Sequence, residues 1–202
     1  MAACRTVRRE APPSAAEADR AAVEKARADS ARYPYTSADI RFMSGMIGHH
    51  AQAIEMSRLV PTNGAGPSVR TLAERIINAQ QDEITIMRQW LGDRRQPVPE
   101  IHPTAMMSHH GDHAMMPGML TPQQMKQLEE AKGQEFDRLF LTFMIQHHRG
   151  AIGMVKELFA TPAAGQDLTV FKVATDVNVD QTTEVARMGQ MLSALLFERR
   201  PP

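Results

Sequence analysis

Apolar residues recur three and four positions apart over most of the chain, the period of an amphipathic helix. From Ser68 to about Leu91 the stripe is Leu72, Ile76, Ile77, Ile84, Met87 and Leu91. After Asp167, an N-cap residue, Val170, Val173, Ala174, Val177, Gln181, Val185, Met188 and Leu192 mark another, running to about Phe197. Thr36 with Asp39 opens a helix from about Ser37 to Val60, and Pro61, Gly64, Gly66 and Pro67 turn the chain after it. Gly92 is a natural stop for the next. Thr121-Pro122 with Gln124 starts a further helical stretch, which Gly133 kinks or divides and which continues to about Phe159. Ahead of these, Ser14 and Glu17 frame a helix to about Arg32 that is rich in charge and poor in large apolar side chains, so it should lie at the periphery.

The pattern is duplicated. FMSGMIGHHAQAIEM, Phe42 to Met56, returns 98 positions later as FLTFMIQHHRGAIGM, Phe140 to Met154. The helices that follow also align, at an offset of 101: Gln80 with Gln181, Glu83 with Glu184, Met87 with Met188. Each half is then a His-His helix, a loop and a Gln/Met helix. One such hairpin cannot bury its apolar face alone, whereas two close a four-helix bundle. The expected organisation is all-α. A flexible lead or tether (1–13) and a peripheral helix (14–35) precede a bundle (36–198). Within the bundle, repeat one covers 36–92, a Met/His-rich connector 93–120 and repeat two 121–198.

Residues three and four apart share a helix face. Met46, His49, His50 and Ala53 therefore form one stripe with Met56 a turn beyond, and Met144, His147, His148, Ala151 and Met154 repeat it. Facing inward, the stripes would gather four imidazoles and several thioethers, a donor set suited to copper and, through sulfur, to Cu(I). The alternative is a core filled by methionine with histidines satisfied locally. Gln80, Glu83, Gln181 and Glu184, with Met87 and Met188, would stand behind the imidazoles as orienting partners; surface solvation is the other reading of the four polar residues. Asp39 and Asp137 read mainly as helix-start residues. A mixed site of this kind should weaken as pH falls through about 6.5, because imidazole binds metal only when neutral.

The connector carries His102, Met106, Met107, His109, His110, His113, Met115, Met116 and Met119 among prolines and glycines. Half of the eight histidines and a third of the fifteen methionines fall in these 18 residues. Periodic packing does not explain them. Such a tract can capture soft metal ions while it links the repeats.

Composition narrows the field further. The 202 residues balance 23 Lys+Arg against 23 Asp+Glu, which disfavours a nucleic-acid partner. No apolar run approaches a membrane span. The lone cysteine, Cys4, excludes an internal disulfide; Met-Ala-Ala-Cys resembles the end of a bacterial lipoprotein signal, which would make Cys4 the lipidated residue, and an accidental cysteine in the N-terminal lead is the other reading. No Glu-x-x-His precedes either His pair, no His-Glu-x-x-His occurs, and no serine or cysteine has a nucleophile setting. An enzyme is not expected.

These segments, with MPGMLTPQQMKQLEEAKGQEFDRLFLTFMIQHHRGAIGMV in the second half, resemble domain-of-unknown-function family 305, a ferritin-like bundle family with copper-binding members. The resemblance spans about residues 36 to 197. It implies a ferritin-like four-helix bundle exported to the periplasm, cell surface or medium. It also implies, for some members, copper or silver binding through His and Met, here Met46, His49, His50, Met56, Met144, His147, His148 and Met154. Sequestration or transfer of Cu(I), with Ag(I) or Cu(II) also accommodated, is the expected role, and a copper exporter or chaperone the expected partner. A structural or protein-interaction bundle with buried core histidines remains the alternative.

Overall fold

The computed structural model describes residues 14–32, 34–100 and 116–198. Among them the regular structure is helical: α1 (Ala15–Arg32), α2 (Ser37–Arg58), α3 (Pro67–Asp93), α4 (Pro122–Glu130), α5 (Gly133–Ala160) and α6 (Leu168–Glu198). Helices α2 and α3 form one hairpin, α5 and α6 the second, and α2 packs on α5 to join them. Helix α1 is largely exposed and rests on α3. The expected all-α bundle of two hairpins is therefore the fold.

Local chemistry sets the helix boundaries. Thr36 and Asp39 close a reciprocal capping box at the start of α2, and Thr121 with Gln124 does the same for α4. Ser68, expected as the cap of α3, lies inside its first turn instead: Gly66 is the N-cap, without a side-chain bond, and Pro67 is the first helical residue. Gly133, at φ 56°, divides α4 from α5 rather than kinking one helix. Asp167 caps α6 through the amides of Thr169 and Val170. The same carboxylate accepts from Trp90 Nε1 at 2.9 Å and Arg94 Nη2 at 2.7 Å, which ties the end of α3 to the start of α6.

The aspartates of the repeat do more than start helices. Asp39 Oδ1 accepts from the amide of Gly165, in the α5–α6 loop, at 2.7 Å. Asp137 accepts from the amide of Gly66, in the α2–α3 loop, at 3.0 Å. Each His-His helix thus pins the loop of the opposite hairpin. Asp137 is no helix cap: it lies a turn inside α5, whose N-cap is Lys132.

The core falls into two apolar clusters. One joins the first half of α2 (Phe42, Met43, Met46) to the second half of α5 (Ala151, Val155) and to Ile84, Met87, Val173 and Val177. The other joins the second half of α2 (Ala53, Met56) to the first half of α5 (Phe136, Phe140, Met144) and to Leu72, Ile76 and Met188. This arrangement requires α2 and α5 to run antiparallel. His49, His50, His147 and His148 fall between the two groups in sequence on both helices, so a polar layer separates two dry halves.

Candidate metal centre

All four imidazoles are fully buried, and so are Gln80 and Gln181, at 3% and 2% exposure; neither glutamine orients a ring as expected, since Gln80 Oε1 and both amide atoms of Gln181 have no hydrogen-bond partner. The rings of His49 and His147 meet across the α2–α5 seam with centroids 3.8 Å apart. His148 lies behind His147, centroid to centroid 6.2 Å.

Hydrogen bonds fix the tautomers of three of them. His50 Nε2 lies 2.7 Å from Glu83 Oε2, and His148 Nε2 lies 2.6 Å from Glu184 Oε2, the same pairing in each repeat. His49 Nε2 lies 3.0 Å from the carbonyl oxygen of Pro117. A carbonyl or carboxylate oxygen accepts only, so each Nε2 carries a proton, and in the neutral ring Nδ1 is then the nitrogen with the lone pair. None of the four Nδ1 atoms has a hydrogen-bond partner, and neither does Nε2 of His147. A carboxylate behind one ring nitrogen and a free lone pair on the other is the arrangement of a metal-ligating histidine.

Burial and neighbouring rings keep His49 and His147 neutral. Burial first, then the His50 ring, hold the His49 imidazole down to about 3, with the Pro117 carbonyl acting the other way. Burial, followed by His49, His148 and His50, holds His147 well below its ordinary value. The outer ends of the two His–Glu pairs converge on an acidic rim: Asp180 is raised by burial and then by Glu83, Asp176 and Glu184.

The thioethers flank this layer. Met46 and Met87 lie in one apolar cluster with Met154 packed against it, and Met56, Met144 and Met188 lie in the other. Among the described residues no three His, Cys, Asp or Glu side chains form a ready-made ligand group. His102, Met106, Met107, His109, His110, His113, Met115 and Cys4 lie outside the described residues.

Met116 and Met119 belong to a short strap over the α2–α5 seam. Met116-Pro117-Gly118-Met119 is a turn closed by the Met119 amide on the Met116 carbonyl, with Gly118 at φ 80°. Both amide atoms of Gln52 bond the main chain of Leu120, at 3.0 and 2.7 Å. Gly150 lets the strap touch α5: a Cβ there would lie 1.8 Å from the Pro117 oxygen. The sequence reading missed Gln52, Gly150 and the Pro117 carbonyl. Pro-Gly marks a turn, but nothing local says where the turn lands.

A crystal structure of a candidate secreted DUF305 protein from Streptomyces coelicolor superposes with a TM-score of 0.66 at 31% identity, covering 79% of this chain and 94% of that one. CopM in its Cu(II)-bound form gives 0.62 at 31% identity, covering 77% and 96%. CopM in its Cu(I)-bound form gives 0.59 at 28% identity, with the same coverage. An uncharacterised protein of Acanthamoeba polyphaga mimivirus is 39% identical over 57 residues, 28% of this chain and little more than a third (38%) of that curated relative. The profile of the family described as a domain of unknown function (DUF305) matches residues 39–192, from the capping aspartate of α2 almost to the end of α6, and the chain belongs to that family.

Proposed function

We propose that the protein binds Cu(I) or Ag(I) outside the cytoplasm, holding the ion between imidazole Nδ1 atoms and a flanking thioether in the midplane of the bundle, for sequestration or transfer. One observation carries this reading: five buried imidazole nitrogens in a single layer lack hydrogen-bond partners. A buried polar group left unsatisfied costs about 1–3 kcal/mol. A neutral His147 ring has one N–H and one lone pair, so an ion that takes up lone pairs among these nitrogens turns part of the cost into binding. Glu83 and Glu184 would orient His50 and His148, and Met46, Met56, Met144 and Met154 would supply sulfur. CopM supports the choice of ion, since related structures hold it with Cu(II), Cu(I) and Ag. The Streptomyces relative supports the location. The tract between His102 and Met119 would collect ions, and Cys4 would carry any lipid anchor.

A Cu(I) competition titration against a chromophoric chelator tests this. It is run on the full chain, on His49→Leu/His147→Leu, and on a deletion of residues 102–115 that leaves the strap in place. Loss of uptake in the histidine variant supports the bundle site. Negligible uptake by the full chain would instead favour a structural or protein-interaction bundle, a reading consistent with the lack of a ready-made His/Cys/Asp/Glu group among the described residues.

A further inference from the structure

The loop between α2 and α3 receives the junction of α4 and α5, and Asn63 makes the connection. Asn63 Nδ2 lies 2.8 Å from the Ala131 carbonyl oxygen, 2.9 Å from that of Glu129 and 3.3 Å from that of Leu128. Its own carbonyl accepts from the Gly133 amide at 2.8 Å. Carbonyl oxygens only accept, so the amide nitrogen faces α4 and Oδ1 is left to the Thr62 hydroxyl, 3.1 Å away. Asn63 is shut in, at 2% exposure, whereas the next residue, Gly64, is exposed and stands at φ 68°. Glycine takes that conformation without strain. The fold thus calls for a donor at 63 and a glycine at 64, which together spell Asn-Gly. Of the three asparagines in the chain, Asn63, Asn78 and Asn178, only Asn63 precedes glycine.

We propose that Asn63-Gly64 is a deamidation site that the docking of α4 holds shut, and that its conversion unlatches α4 and the strap. The reaction needs only water, and none of it depends on a bound metal. The Gly64 backbone nitrogen attacks Asn63 Cγ; a C–N bond forms, the bond from Cγ to Nδ2 breaks, and ammonia leaves with the amide proton. Water then opens the five-membered imide at either carbonyl, giving an aspartate or an isoaspartate. Glycine puts no side chain in the way of ring closure. In the folded chain the carboxamide cannot turn to meet that nitrogen without giving up its bonds to α4, which the fully buried Leu128 anchors to the core. Conversion does not reverse. A carboxylate has no hydrogen to offer, and its oxygens would stand against the three carbonyl oxygens of α4 and its junction. Thr121, the cap of α4, follows directly on Leu120, the strap residue that Gln52 holds. Loss of the α4 anchor therefore loosens the cover of the histidine layer.

The full chain is incubated in mildly alkaline buffer, folded and in urea, and conversion is followed by peptide mapping with mass spectrometry and isoaspartate labelling. In urea Asn63 should convert well ahead of Asn78 and Asn178. In the folded chain it should convert at least about tenfold more slowly than in urea, because the reaction waits on local opening. Leu128→Ala, which loosens α4 without touching the loop, should bring the folded rate up toward the urea rate. Equal rates in folded and urea-treated wild type would overturn the protection. An Asn63 no faster than the other two asparagines in urea would overturn the site itself. Asn63→Asp supplies the product directly: hydrogen exchange should rise over the strap and α4 while the amides of α3 and α6 keep their protection. Exchange unchanged over the strap and α4 would overturn the unlatching.

Discussion

His49 and His147 face each other across the α2–α5 seam with their ring centroids 3.8 Å apart, both shut off from solvent. Two such rings coexist at that distance only if at most one is protonated. Both are held below their ordinary range, His49 down to about 3. The unfolded chain therefore binds more protons than the folded one between about pH 6.5 and 3, and stability falls as acid is added through that window. The slope from one such group reaches about 1.4 kcal/mol per pH unit. Urea denaturation of the metal-free chain at neutral and mildly acid pH should show the loss, and His49→Leu/His147→Leu should flatten it.

Glu83 and Glu184 each hold the Nε2 proton of a buried histidine. Glu83→Gln and Glu184→Gln keep shape but remove the acceptor charge that fixes the tautomer. Each should weaken Cu(I) binding by about 10–100-fold in a chelator competition while far-UV circular dichroism stays unchanged.

Asp39 serves its own capping box and the amide of Gly165 in the opposite hairpin. Asp39→Ala removes a cap and leaves a buried amide unpaired, for a loss of about 2–4 kcal/mol in urea denaturation. Asp137→Ala loses the bonds from the Gly66 amide and the attraction of Arg70 but no capping box, and should cost less, about 1–2 kcal/mol.

Gly150 and Gly153 lie three residues apart on α5, yet alanine should act oppositely at the two. At Gly150 a Cβ would collide with the Pro117 carbonyl, so Gly150→Ala should displace the strap and cost about 1–3 kcal/mol. At Gly153 nothing stands within 4 Å, so Gly153→Ala should stabilise the helix by about 0.5–1 kcal/mol. Thermal denaturation of the pair separates the two effects.

Much of this arrangement could be read from the chain, because a duplicated His-His helix with a Gln/Met helix after it is a local pattern repeated. Helical spacing puts Met46 and both imidazoles on one face, and the offset of 101 aligns Glu83 with Glu184. Those are the carboxylates that bond His50 and His148. What escaped are contacts made by irregular backbone or across long separations. The Asp39–Gly165 bond spans 126 residues, and the Pro117 carbonyl reaches His49 from 68 positions away. No periodicity encodes such meetings. The role of Gly150 was hidden for the same reason: its missing side chain matters only to a strap whose landing place the sequence does not state.

The crossed aspartate–glycine ties have a consequence for how such a bundle could be assembled. Each hairpin offers one carboxylate and needs one, so neither is complete by itself, while two identical hairpins in a head-to-tail pair would satisfy both demands at once. A homodimer of a single half would then have the same seam. A chain cut within the connector should give two fragments that recognise each other on mixing.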